Sequence, residues 1–187
     1  ELLHARMYAA DWQDFDSLKS QVLDGLRAGA RIVQPFIFQA VSESPADSQT
    51  CSRIWGRDRY PAQPPAQFDL AARKAHKKIR IGYLSGEFRQ QATAILMAGV
   101  YEHHDRDRFE IIALDAGVSD ASPMRERLEK AFDRWIEIGK MADGEAAARI
   151  RAEEIDILVN LNGYFGDART GVCAQRAAPV QVNYLGF

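Results

Sequence analysis

Two polar segments contain the side chains best suited to bind a ligand, and each follows a run of apolar residues. The first, residues 85–91, reads Ser-Gly-Glu-Phe-Arg-Gln-Gln and is followed by Thr93. The second, residues 160–166, reads Asn-Leu-Asn-Gly-Tyr-Phe-Gly. Amide side chains offer two donors and an acceptor, which suits the hydroxyl groups of a sugar. Asn160 and Asn162 also suit a plain turn, because Asn favours strand ends and a glycine follows. Both interpretations stay open.

Groups that could exchange a proton are scarce in these segments. The four histidines lie elsewhere: His4, His76, His103 and His104. The last two end a predicted helix, where cationic side chains interact favourably with the helix dipole. Each loop expected after a strand end contains a single acidic residue: Glu87, Asp115 or Asp167. Asp167 also suits the cap of the next turn. Spacing alone therefore identifies no acid–base pair.

From residue 79 onward the pattern predicts alternating strands and helices. The predicted strands are 79–84, 109–114, 135–138, 155–161 and 180–185, and the helices are 93–103, 122–132 and 143–153, with a loop or short helix at 165–176. Short apolar strands joined by amphipathic helices are typical of a parallel sheet covered on both faces. We therefore predict an α/β fold, a Rossmann-like sheet whose loops after the strands share one edge. Neither a G-x-G-x-x-G motif nor a P-loop occurs, which excludes those two phosphate cradles.

Residues 1–60 predict a helical appendage. Apolar residues recur at three- and four-residue steps between Leu18 and Leu26, and Gly29 suits the end of that helix. Ser44 suits the cap of a later helix, because proline follows it. One helix pair shows no repeat period, so a plain appendage and the end of a helical repeat array both stay open.

The proline-rich start of residues 61–78 cannot sustain a helix and predicts a linker. The linker ends in a cationic run: Arg73, Lys74, His76, Lys77 and Lys78. Such a run predicts a solvated edge, with steering of a phosphate as the alternative. The predicted organisation is a helical appendage (1–60), a linker (61–78) and a Rossmann-like lobe (79–187).

Composition excludes several classes of function. A net charge of −2 gives no general attraction to nucleic acid or to an anionic membrane. No stretch approaches the ~18 apolar residues of a spanning helix, and no signal peptide opens the chain. Cys51 and Cys173 lie far apart, which predicts no metal site and a reducing, cytoplasmic location. The chain opens without methionine and stops within an apparent element, so we expect a fragment of a longer protein.

Residues 79–96 read Ile-Arg-Ile-Gly-Tyr-Leu-Ser-Gly-Glu-Phe-Arg-Gln-Gln-Ala-Thr-Ala-Ile-Leu. This stretch resembles the opening of the catalytic region of O-linked N-acetylglucosamine transferases. The resemblance implies a bacterial member of that family. The plant SPINDLY-type protein O-fucosyltransferases belong to the same family. Segments 103–110, 148–164 and 176–187 are similar to later parts of that region. Residues 10–16 resemble the helices that join its tetratricopeptide array to the catalytic region.

The resemblance implies a GT-B architecture, with a sugar nucleotide between two Rossmann-like lobes, and makes this chain the N-terminal lobe. It implies transfer of N-acetylglucosamine from UDP-GlcNAc to serine or threonine hydroxyls of a protein acceptor, with no cofactor and no metal. Most UDP contacts would belong to a C-terminal lobe after residue 187, so we expect this chain alone to be inactive. The residues expected to contact sugar or acceptor are Gln91, Thr93, Asn160, Asn162, Gly163 and Tyr164.

Two positions depart from the family pattern. Gln91 stands where animal members carry a histidine, and Ile95 stands where they carry another. Glutamine cannot accept a proton at neutral pH, so the catalytic residue stays unassigned. Ile95 is expected to pack inward. The alternatives are a non-catalytic protein-binding module derived from the family, and an O-fucosyltransferase of the SPINDLY type.

Overall fold

The computed structural model describes residues 1–61, 63–64 and 66–186, which form two compact units, Glu1–Pro61 and Ala62–Phe187. Two residues of the predicted linker, Ala62 and Pro65, lie outside the described residues, as does Phe187 at the end of the predicted lobe. The side chain of Lys74, part of the cationic run, is also outside the description.

The first unit is helical, as predicted. Its helices are α1 (Leu2–Tyr8), α2 (Phe15–Arg27), α3 (Pro35–Phe38) and α4 (Pro45–Arg59). Gly29 follows α2 with a φ of +86°, a backbone conformation that glycine adopts without steric cost. The Ser44 hydroxyl accepts a hydrogen bond from the Asp47 N–H at 3.2 Å, which confirms the predicted cap of α4. The short helix α3 was not predicted.

The second unit is an α/β layer. Its elements are α5 (Leu70–Lys74), β1 (Ile79–Ser85), α6 (Ala92–Glu102), β2 (Phe109–Asp115), α7 (Pro123–Ala131), β3 (Arg134–Glu137), α8 (Asp143–Ala152), β4 (Ile157–Asn160), α9 (Thr170–Ala174) and β5 (Val180–Asn183). All four strand pairings are parallel, in the order β3-β2-β1-β4-β5. The predicted α/β class and parallel sheet are therefore confirmed.

The sheet has an apolar layer on each face, because side chains alternate along a strand. Tyr83 packs on one face with Met97 and Tyr101 of α6. Its neighbour Leu84 packs on the opposite face, together with Ile150 of α8. Both faces of β1 are therefore covered, which explains its nearly continuous apolar sequence.

The position of β1 decides where a ligand can bind. The chain proceeds from β1 to β2 and β3 on one side, then crosses back to add β4 on the other side of β1. The carboxyl ends of β1 and β4 thus flank the point where the strand order reverses. In open parallel sheets, ligands bind in the crevice at this switch point.

The prediction of a solvated cationic edge is wrong for two of its residues. Arg73 lies on α5 and donates a hydrogen bond to the carbonyl oxygen of Ile155 at 2.6 Å. The His76 Nε2 atom lies 2.8 Å from a carboxylate oxygen of Glu154. Both partners come from the turn before β4, 82 and 78 residues away, which is why the local pattern did not reveal them.

Two further side chains differ from prediction. Ile95 is 54% exposed, because the helical period turns Ala94, Met97 and Tyr101 toward the sheet instead. The His104 Nε2 atom lies 2.8 Å from the Tyr83 hydroxyl oxygen. Burial lowers the pKa of His104, so this residue is not the cation that was predicted at the helix end.

Candidate active site at the carboxyl edge of the sheet

The loops after β1 and β4 meet at the switch point of the sheet. The side-chain oxygen of Asn162 accepts a hydrogen bond from the Gly86 N–H at 3.0 Å, and Asn162 is 2% exposed. The Asn162 Nδ2 group is also buried and has no hydrogen-bond partner among the described residues. The structure thus joins the two polar segments through one asparagine. The oxygen of this side-chain amide is used in the bridge, and the two N–H donors of its Nδ2 group remain.

Glycines let three loops approach each other closely. A Cβ atom on Gly86 would overlap Asp167 in the loop after β4, and one on Gly117 would overlap the carbonyl oxygen of Gly86. The Arg89 side chain clamps the same contact: it donates to the Gly86 carbonyl at 2.6 Å and to the Asp167 carboxylate at 3.2 Å. The loops after β1, β2 and β4 are therefore positioned by backbone contact.

Asp115, one of the three predicted acids, forms an ion pair with Arg125. One carboxylate oxygen accepts from Arg125 at 2.6 Å, and the other accepts from the Gly117 N–H at 3.0 Å. Both members of this ion pair are buried. Both carboxylate oxygens are thus already engaged within the protein. Asp115 therefore fits a structural role.

Arg125 connects this ion pair to the loop after β1. It donates to the Phe88 carbonyl at 3.3 Å, pairs with Glu129 at 2.6 Å, and lies over the Trp135 ring at 4.2 Å. Burial alone would lower the pKa of Arg125, but the bonds to Glu129 and Asp115 raise it above its ordinary value. The guanidinium thus stays charged beneath the loop that carries Gln91.

Glu87 and Thr93 form a pair inside the first loop. The Thr93 hydroxyl donates to a carboxylate oxygen of Glu87 at 2.7 Å. Glu87 is only 7% exposed. This bond ties the first turn of α6 back to the loop that precedes it. It leaves the other carboxylate oxygen of Glu87 facing Gly166.

Gln91 is the exposed member of the predicted set. It precedes α6 with an extended backbone, and its side chain makes no capping bond to the helix. Its amide is therefore exposed at the carboxyl edge of the sheet, in the loop after β1. A neutral amide can donate and accept hydrogen bonds there but cannot remove a proton.

The remaining predicted residues lie on the β5 side of β4. Asn160, Gly163 and Tyr164 line a cavity of about 270 Å³. The Asn160 amide donates to the side-chain oxygen of Asn183 at 2.9 Å, and the Gly163 carbonyl accepts from the Thr170 hydroxyl at 2.7 Å. The six predicted residues thus fall in two places. One group lies where the loops after β1 and β4 meet and contains Gln91, Thr93 and Asn162. The other group lines this cavity and contains Asn160, Gly163 and Tyr164.

Sequence reasoning missed several lining residues. Asn183 and Thr170 belong to the cavity beside β4, and Lys140 lines another cavity, of about 370 Å³, at the ends of β2 and β3. Asn183 could have been found, because it is a third asparagine at a strand end. Thr170 and Lys140 follow no such pattern. Within the described residues, no three His, Cys, Asp or Glu side chains cluster to hold a metal ion.

Cys173 also lines the cavity beside β4. Burial raises the pKa of its thiol to about 11, and the nearby Asp143 acts in the same direction. A thiol with that pKa stays protonated at neutral pH and is a poor nucleophile. Cys173 therefore contributes to the wall of the cavity and not to covalent chemistry.

Comparison with known proteins gives consistent findings. The sequence model of glycosyl transferase family 41 matches residues 59–187. The probable UDP-N-acetylglucosamine–peptide N-acetylglucosaminyltransferase SEC of Arabidopsis thaliana is 28% identical over 200 aligned residues, covering all of this chain and 20% of the relative. The corresponding Caenorhabditis elegans transferase is 35% identical over 112 residues, covering 59% of this chain and 10% of the relative.

A solved structure agrees with the sequence relatives. A mutant of the Thermobaculum terrenum O-GlcNAc transferase superposes with a TM-score of 0.71 at 32% sequence identity. The match covers 82% of this chain and 29% of that one. The chain thus spans less than a third of the proteins that it matches. No helix in the described part of the chain is long and apolar enough to cross a membrane.

Proposed function

The chain belongs to glycosyl transferase family 41, and on that premise we propose that it is the N-terminal Rossmann-like lobe of a two-lobed GT-B protein O-glycosyltransferase. In the proposed reaction, a serine or threonine hydroxyl of a protein acceptor attacks the anomeric carbon of N-acetylglucosamine. The bond from that carbon to the phosphate oxygen breaks, and UDP leaves with the electron pair. The donor UDP-GlcNAc is the only small molecule that this reaction requires.

The carboxyl edge of the sheet supports this proposal because it presents neutral hydrogen-bonding groups at the switch point. In the proposed complex, the Gln91 amide and the Thr93 hydroxyl contact the sugar or the acceptor hydroxyl. Asn162 supplies its unpartnered Nδ2 donors. Asn160, Gly163 and Tyr164 line the adjoining wall. Amides and hydroxyls can both donate to and accept from the hydroxyl groups of a sugar.

In this reaction the proton of the attacking hydroxyl passes to the leaving UDP or to solvent, because these loops offer no evident acceptor. Gln91 cannot take it, and the acids are engaged: Asp115 by Arg125, Asp167 by Arg89 and one oxygen of Glu87 by the Thr93 hydroxyl. We therefore assign to this lobe the binding and orientation of the reactants. Stabilisation of the leaving UDP would come from the second lobe.

The observation that carries the proposal is the meeting of residues 85–91 and 160–166 at the switch point, bridged by Asn162 and Gly86. The test is to express the protein encoded by the complete reading frame and to measure UDP release from UDP-GlcNAc with a mixture of acceptor proteins. We expect donor-dependent release that falls about tenfold or more in Gln91→Ala and Asn162→Ala. Gln21→Ala, on the surface of α2, is the matched control and should leave the rate unchanged.

Three outcomes separate the alternatives. Release from GDP-fucose but not from UDP-GlcNAc would move the assignment to a SPINDLY-type O-fucosyltransferase. A complete protein that binds donor without turnover would favour the non-catalytic binding module. Turnover by residues 1–187 alone would contradict the need for a second lobe.

A further inference from the structure

The amino edge of the sheet, opposite the candidate active site, contains a cavity of about 630 Å³. It lies where β1, β4 and β5 begin, beside the short helix α5. This volume falls in the range of small-molecule binding sites. None of the residues that line this cavity belongs to the loops at the carboxyl edge, so a ligand here would occupy a second, separate site.

The charge of this cavity is positive, although the chain as a whole carries −2. Its described lining includes four fixed cations, Arg73, Lys77, Lys78 and Arg108, against the two carboxylates Asp107 and Asp156. Asp156 does not neutralise the lysines, because its oxygens are already engaged by Arg73 at 3.4 Å and by the Arg80 N–H at 2.9 Å. The two lysines and Arg108 are exposed at the rim.

Apolar side chains form a second part of the cavity lining. Ile79 begins β1 and is 42% exposed, Val180 begins β5 and is 50% exposed, and Leu70 on α5 is 56% exposed. All three line the same cavity. A ligand that covers these side chains gains about 25 cal/mol for each Å² of apolar surface removed from water.

His76 also lines the cavity. Its Nε2 atom pairs with Glu154, while its Nδ1 atom is buried and has no partner among the described residues. A buried polar atom without a partner is costly, so the wall of the cavity is incomplete as it stands. A polar group of a ligand, or a water molecule held beneath it, would satisfy this atom.

We propose that this cavity binds a small amphipathic anion, a carboxylate or phosphate carried on an apolar body, with Lys77, Lys78 and Arg108 around the anion and Val180 and Ile79 against the body. The site does not depend on the proposed transferase activity. Occupation would tie α5 to the amino ends of three strands. It would therefore stabilise the sheet unit by mass action.

The test uses the 187-residue chain and two probes, decanoate and decyl phosphate, each below its micelle concentration. Calorimetric titration should give one saturable site, with amide NMR shifts concentrated at Ile79, Arg108 and Val180. Lys77→Gln/Lys78→Gln should weaken binding about tenfold, as expected for the loss of two charged contacts. Arg57→Gln/Lys130→Gln makes the same change of charge elsewhere on the surface and should not alter the affinity.

The apolar half is tested separately. Val180→Thr keeps the shape of the side chain and should weaken binding of both probes, while inorganic phosphate should bind more than tenfold more weakly than decyl phosphate. The better of the two probes identifies the head group. The absence of saturable binding, equal affinity in the lysine variant, or equal affinity for inorganic phosphate would each overturn the proposal. None of these results would bear on turnover by the complete enzyme.

Discussion

The two edges of the parallel sheet use their polar residues in opposite ways. At the carboxyl edge the charged side chains of the loops after β1 and β4 are paired or buried, and Gln91 and Asn162 offer neutral amides. At the amino edge Lys77, Lys78 and Arg108 are exposed around an apolar cavity. The loops expected to bind a sugar are therefore positioned by contacts with one another. At the amino edge these three cationic side chains are exposed to solvent and, in our proposal, bind an anionic ligand.

The buried ion pair beneath the crevice should show the largest effect. Arg125→Met leaves the Asp115 carboxylate buried without its partner, and we expect a loss of about 3–5 kcal/mol of unfolding free energy. Arg127→Met, on the same helix, breaks a largely exposed pair with Glu102 and should cost about 0–1 kcal/mol. Urea unfolding, followed at the amide signals of β1, measures both. Similar costs for the two variants would contradict the assigned role of Arg125.

Disturbing the backbone contact between Gly117 and Gly86 should have the second-largest effect on the unfolding free energy. A Cβ on Gly117 overlaps the Gly86 carbonyl, so Gly117→Ala must displace a loop and should cost about 1–3 kcal/mol. Gly99→Ala is the matched control. It lies within α6 with nothing within 4 Å of its added Cβ, and it should stabilise the protein by about 1 kcal/mol. A neutral result for Gly117→Ala, by the same unfolding assay, would mean that the loops are not fixed by this contact.

The bond between Thr93 and Glu87 should have a smaller effect. Thr93→Val removes the hydroxyl that Glu87 accepts and should lower the unfolding free energy by about 1 kcal/mol. Thr50→Val, on the exposed surface of α4, should change it by less than about 0.5 kcal/mol. If both threonines behave alike, Glu87 is not anchored through this bond.

The amino edge should respond least. Lys77→Gln/Lys78→Gln removes two exposed charges and should change the unfolding free energy by no more than about 0.5 kcal/mol in the absence of ligand. A loss comparable to that of Arg125→Met would show that the amino edge is as rigidly paired as the carboxyl edge. The contrast between the two edges would then be wrong.

Much of the fold could be predicted because its signals are local. The five strands and the helices α6, α7 and α8 were predicted within one or two residues, since apolar periodicity and capping residues mark their ends. The short helices α3 and α5 were missed because four or five residues show no helical period. Ile95 was placed inward from the character of its side chain, while the phase of α6 placed it outward.

The candidate site was predicted less completely. The polar segments at 85–91 and 160–166 could be identified, because turn residues after an apolar strand are visible in the sequence. Their division between a crevice at the switch point and a cavity beside β5 could not. That division depends on β4 pairing with β1 and β5, which relates residues far apart in the chain.

The sequence by itself determined the class of fold, the order of its elements, the neutral character of Gln91 and the resemblance to a transferase family. These properties depend on residue type and short-range spacing. Only the tertiary structure decided which charges are free. Asp115 is neutralised by Arg125 of the following helix, and Arg73 is held by the turn before β4, 82 residues further along. The parallel crossovers bring these partners together, and no local pattern encodes such a pair.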